Sequence, residues 1–191
     1  VSFSSNARTL NSTSDVVKVV NDELYNIIGN MEYLTAFFCI IDSENGTIEY
    51  TNAGHPSSVI IKKNGDIVEL GQNSPIIGFL NSVEFNSNTE KIEDGDRIVL
   101  YTDGVTEAKN EKDEIYDFEK FKKILIDNMS LPNHKLTEVI SAEIREFSGG
   151  KDMQDDVTIL IGDFTKKQGR VSVDFEIFIE RKKVEDEDLE S

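Results

Sequence analysis

The stretch Asp94-Gly95-Asp96-Arg97-Ile98-Val99-Leu100-Tyr101-Thr102-Asp103-Gly104-Val105-Thr106-Glu107-Ala108 constrains the fold more than any other. A tight acidic turn feeds the short apolar run Ile98 to Tyr101, which has the length and composition of a buried strand, and the run stops at Asp103-Gly104. A carboxylate therefore stands at a strand end. There the sheet fixes the backbone, and the following glycine admits solvent, metal or substrate. Alone, Asp-Gly after a strand is an ordinary turn. A second site changes its meaning: Gln154-Asp155-Asp156-Val157-Thr158-Ile159-Leu160-Ile161 reverses the order, with paired acids opening a β-branched apolar strand. If the two strands are neighbours, their acids converge. Hard divalent cations such as Mg2+ and Mn2+ take oxygen ligands, so Asp103, Asp155 and Asp156 are the candidate ligands.

The remaining chain supplies material for one core. At 191 residues and 38% hydrophobic it suits a single domain with an appendage, and no internal repeat is visible. A net charge of -17 argues against nucleic acid or an anionic membrane as partner, because either requires a basic face. Cys39 is the only cysteine, so no disulfide forms within the chain, and its apolar surroundings predict a buried free thiol without nucleophilic activation. No apolar stretch of about 18 residues and no cleavable leader is present, so the expected location is cytoplasmic.

In chain order, residues 1–13 are polar apart from Val1, Phe3 and Leu10. Ser14 reads as the N-cap of a helix to Ile28, with Val16, Val20, Leu24, Ile27 and Ile28 on one face and Gly29 at its stop. Residues 33–41 predict a strand buried on both faces, and Thr47 to Thr51 pairs back as a hairpin. Asn52-Ala53-Gly54-His55-Pro56 interrupts the pattern before a strand over 57–62, and Asn64-Gly65 turns that strand into Ile67 to Leu70. These short connections favour antiparallel pairing of four successive strands. Residues 71–80 read as loop, 83–92 as a polar edge strand, and 107–116 as irregular. Two amphipathic helices follow. One carries Phe118, Phe121, Ile124, Leu125 and Met129; the other, after Pro132, carries Leu136, Val139, Ile140, Ile144 and Phe147 and ends at Gly149-Gly150. Beyond Phe164, residues 166–170 read as a basic linker, 171–179 as an amphipathic strand outside the main unit, and 185–191 as a disordered acidic tail.

Three segments in this order, Tyr50-Thr51-Asn52-Ala53-Gly54-His55-Pro56, Gly95 to Glu107 and Asp155-Asp156-Val157-Thr158, resemble the PPM-type metal-dependent serine/threonine phosphatases, within them the bacterial SpoIIE/RsbU branch that controls sigma-factor signalling. The resemblance covers residues 1–165 and leaves 166–191 as a C-terminal extension. It implies an α+β fold, a β-sandwich of mainly antiparallel strands flanked by helices, with two Mn2+ or Mg2+ ions at one end. Asp103 and Asp155 match metal ligands; Gly104, Asp156 and His55 match positions beside them. The implied activity is hydrolysis of phosphoserine or phosphothreonine by metal-activated water, with no covalent intermediate and no catalytic side chain. The implied substrate is a phosphorylated anti-anti-sigma protein of the STAS class.

One family motif is missing. No Gly-Asp-x-x-Gly-His-Gly, whose aspartate bridges both metals, occurs here: Gly65-Asp66, Gly95-Asp96 and Gly162-Asp163 lack the following glycine and histidine, and Gly54-His55 runs into Pro56. The resemblance places Val1 inside the family's first helix, so the expectation is a fold without its first strands. Weak metal binding, inactivity of this chain and association with a second copy are expected with it. The rival reading is a non-catalytic, phosphatase-like interaction module.

Overall fold

A computed structural model describes residues 12–28, 33–149, 155–167 and 169–180. Helix α1 spans Thr13–Ile28. Strands β1 (Ala36–Asp42), β2 (Thr47–Ala53), β3 (Ser58–Ile61), β4 (Ile67–Leu70), β5 (Asn88–Lys91) and β6 (Arg97–Tyr101) follow. Then come α2 (Asp103–Thr106), α3 (Phe118–Asp127), α4 (Asn133–Phe147), β7 (Val157–Lys167) and β8 (Arg170–Glu180). The strands form two antiparallel sheets, three-stranded β1-β2-β5 and five-stranded β4-β3-β6-β7-β8. The sandwich flanked by helices is the predicted class.

Strand alternation divides the five-stranded sheet between two cores. Val59, Ile61, Val99, Tyr101, Val157, Ile159 and Ile161 face α3 and α4 and join Phe121, Leu125, Leu136, Ile140 and Ile144. The opposite face presents Ile60, Leu70, Ile98 and Phe164 to Ile48 and Tyr50 of the smaller sheet and to Ile92 just beyond it. Strand β6 lies in the middle, as its apolar run predicts. Both helical stripes are core, as expected.

Several expectations are corrected. Ser12, not Ser14, caps α1: its hydroxyl accepts from the Asp15 amide at 3.1 Å. The helix presents Val16, Val17 and Val20 inward, and Ile27 is 69% exposed. Strand β1 is not buried on both faces: it lies at the edge of its sheet, with Ile40 exposed. The first four strands do not pair in succession, because Asn52 to Ser57 carries the chain from one sheet to the other. Asp103-Gly104 opens a short helix instead of a simple turn, whereas residues 107–116 are irregular as expected, with one isolated bridge between Lys109 and Ile115.

The largest correction concerns residues 166–180. Strand β8 does not lie outside the main unit; it pairs with β7 from Lys167↔Arg170 to Val157↔Glu180, and the supposed linker is a tight hairpin turn with Gly169 at φ +82. Its alternation was read correctly as a strand, but the burial differs along it. Val171 is buried beside the Ser43 carbonyl, while Phe175, Ile177 and Ile179 on the same face are 50%, 57% and 60% exposed. The ring of Phe175 occupies the space above Gly162, where a Cβ would come within 2.6 Å of it. The stop at Gly29, residues 1–11 and the tail at 185–191 lie outside the described residues.

Candidate metal centre

Strand β6 delivers Asp103 to the sandwich end at which β7 begins. Tyr101 pairs with Ile159, the Thr102 amide donates to the Thr158 carbonyl at 3.0 Å, and the chain then turns into α2. Thr102 holds the two acidic segments together: its hydroxyl donates to the Asp156 carbonyl at 3.0 Å and accepts from the Thr158 amide at 2.9 Å. Gly104 sits directly on the Asp156 carbonyl. A Cβ there would lie 2.5 Å from that oxygen, so any larger residue forces the two segments apart. The structure thus places the Asp103-Gly104 turn against Asp155-Asp156, distant in sequence.

Both carboxylates are exposed. Each is steadied by the amide that follows it: Asp103 Oδ1 accepts from Gly104 at 3.0 Å, and Asp155 Oδ1 accepts from Asp156 at 2.8 Å. The remaining oxygen of each makes no hydrogen bond among the described residues. Two carboxylates with waters suit one hard, six-coordinate cation, so these donors fit Mg2+ or Mn2+ in chemical type. Among the described residues no group of three or more His, Cys, Asp or Glu side chains is gathered for a metal, and a two-metal cage needs ligands beyond this pair.

His55 borders the same end. The turn that carries it is fixed by Asn52, fully buried, whose Oδ1 accepts from the His55 amide at 2.9 Å while its Nδ2 donates to the Leu70 carbonyl. Gly54 has φ +78, and the Ile76 side chain fills the space a Cβ would take. Burial pushes the His55 imidazole below its ordinary value, opposed by the charge of Asp103 and the backbone of Tyr101. Its Nδ1 is buried and has no hydrogen-bond partner among the described residues. Sequence reasoning missed Thr102 and Asn52. Their signal was only position: a hydroxyl residue directly before Asp103 and an amide three residues before His55.

A family model for Stage II sporulation protein E matches residues 2–165. Protein IcfG of Synechocystis is 29% identical over 76% of this chain, and phosphoserine phosphatase RsbP of Bacillus subtilis is 35% identical over 47% of it. The chain spans 23% of the length of each of these two relatives. Among solved structures, the Mn-presoaked phosphatase domain of the cell fate determinant SpoIIE from Bacillus subtilis superposes with a TM-score of 0.63 at 16% identity, covering 87% of this chain and 73% of that one. At that identity the likeness concerns the fold.

Proposed function

The chain belongs to the SpoIIE family of PPM-type serine/threonine phosphatases, and from that premise we propose that it is the metal-dependent phosphoprotein phosphatase domain of a bacterial sigma-factor pathway. The observation that carries this reading is the meeting of the Asp103-Gly104 turn with Asp155-Asp156 through Thr102. Asp103 and Asp155 are the proposed ligands of Mn2+ or Mg2+. A cation held there supplies an activated water and neutralises phosphoryl charge. This chain's own part is positional. Thr102 and Gly104 hold the carboxylate-bearing segments in contact, and Asn52 fixes the turn that sets His55 beside Asp103. The proposed substrate is a phosphoserine or phosphothreonine protein of the STAS anti-anti-sigma class.

The test is Mn2+-dependent phosphate release from such a phosphoprotein, measured with the family's Gly-Asp-x-x-Gly-His-Gly segment joined ahead of this chain, because without that bridging aspartate the chain alone is expected to be inactive. Activity that Asp103→Asn abolishes supports the reading. Turnover unaffected by that substitution overturns it, and binding without turnover favours the rival interaction module. We also propose self-association: β8 is a sheet edge and carries the exposed Phe175, Ile177 and Ile179. Light scattering that shows a dimer, dispersed by Ile177→Lys, is the expected result; a monomer at every concentration contradicts it.

A further inference from the structure

Strand β8 brings the chain back to the metal centre. It pairs with β7 in unbroken antiparallel register, from Lys167↔Arg170 to Val157↔Glu180. Its last residue is pinned: the Arg145 guanidinium of α4 donates to the Glu180 carboxylate from Nη2 at 2.8 Å and from Nε at 3.2 Å. Glu180 stands opposite Val157, and the two residues directly before Val157 are Asp155 and Asp156. Directly after Glu180 come Arg181, Lys182 and Lys183, the only three consecutive cations in the chain.

The register dictates which charge meets which. One further step of the same pairing sets Arg181 opposite Asp156, and a second sets Lys182 opposite Asp155. Opposite residues on neighbouring antiparallel strands hold their Cβ atoms about 5 Å apart, and unlike charges there attract. Alternation turns Lys183 to the other face, opposite the uncharged Gln154. The edge of the acidic segment toward β6 is already taken, since Thr102 donates to the Asp156 carbonyl and accepts from the Thr158 amide. Strand β8 lies along the other edge of β7.

Electrostatics favours the same pairing. Asp155 is exposed, and beyond the bond from the Asp156 amide its carboxylate accepts no other hydrogen bond among the described residues. In a chain of net charge -17, carboxylates gathered at one place repel one another until a cation joins them. Resting on the reading of Asp155 as a metal ligand, we propose that β8 runs on past Glu180 so that Lys182 holds the Asp155 carboxylate in the metal-free chain, a tethered cation that Mn2+ or Mg2+ displaces on binding. The contact yields to a divalent ion because an ion pair open to solvent changes an equilibrium constant only about threefold. Metal occupancy is then set against the chain's own ammonium, and it rises with any change that removes the lysine charge.

The experiment treats the full chain with a water-soluble carbodiimide, which joins a lysine amine to a carboxylate in contact with it, and reads the joined peptides by mass spectrometry with and without millimolar Mn2+. Mn2+ binding is followed in parallel by electron paramagnetic resonance. A Lys182–Asp155 bond is expected in the metal-free chain and should fade as Mn2+ is added. Lys182→Gln should raise Mn2+ affinity about threefold at low ionic strength, and the gain should vanish at high salt. Lys182→Arg should keep the wild-type affinity, and Lys183→Gln should change it less than Lys182→Gln. Products confined to Glu185, Asp186 and the acids that follow them overturn the proposal, as does a Lys182–Asp155 bond indifferent to Mn2+ or an affinity unchanged by Lys182→Gln. Absence of the bond while Asp155→Asn weakens Mn2+ binding overturns the tethered cation alone. Mn2+ binding indifferent to Asp155→Asn contradicts the metal-centre reading on which the proposal rests.

Discussion

Asp96 and Asp103 bracket strand β6, and the same side chain serves opposite ends there. The Asp96 carboxylate is 3% exposed and accepts from the Lys62 ammonium at 2.8 Å and from the amides of Glu93 and Lys63 at 2.9 and 3.1 Å. Its backbone carbonyl also receives the Phe164 amide. It fastens the entrance of β6 to β3, β5 and β7. Asp103, at the exit, is exposed, and its carboxylate accepts only from the adjacent Gly104 amide among the described residues. A carboxylate whose acceptors are used up by its own protein is structural. One left facing solvent at a rigid strand end is available to a ligand.

The comparison predicts a graded series. Asp96→Ala should cost about 3 kcal/mol in urea unfolding, because it leaves the Glu93 and Lys63 amides without their acceptor and takes the carboxylate from the partly exposed Lys62 ammonium. Lys62→Met should cost about 2 kcal/mol, since Asp96 keeps both amide donors and the lysine is itself partly exposed. Thr102→Val removes both bonds between the acidic segments for about 1 kcal/mol, and it should weaken Mn2+ binding measured by titration calorimetry. Asp103→Asn should change stability by no more than about 0.5 kcal/mol while weakening Mn2+ binding measured by titration calorimetry. A destabilisation by Asp103→Asn equal to that of Asp96→Ala would erase the distinction between the two ends.

How much of this was legible depends on what a pattern encodes. The apolar run 98–101, the Asn64-Gly65 hairpin and the stripes of α3 and α4 carry their structure locally, and each was readable. Pairing between sheets is not local. Alternation in residues 171–179 shows which side chains share a face, but not that β8 extends the main sheet or that cover fails beyond Val173. The crossover at Asn52 to Ser57 was unreadable for the same reason, since a short connection permits either pairing or a change of sheet. Ser12 and Ser14 are both acceptable caps, and only the tie of Thr13 to Glu49 on β2, at 2.6 and 2.9 Å, selects the earlier start. At the site, the acids were legible as residue types. Their meeting followed only if the two strands were neighbours, and the Thr102 link that joins the segments was not legible.

The central claim is that Asp103 and Asp155 serve one metal site. Mn2+ titration of Asp103→Asn, Asp155→Asn and the double variant tests it most directly. The account predicts that each single substitution removes the same site and that the double variant loses nothing further. Independent losses that add, or Mn2+ binding unchanged in both single variants, would contradict it.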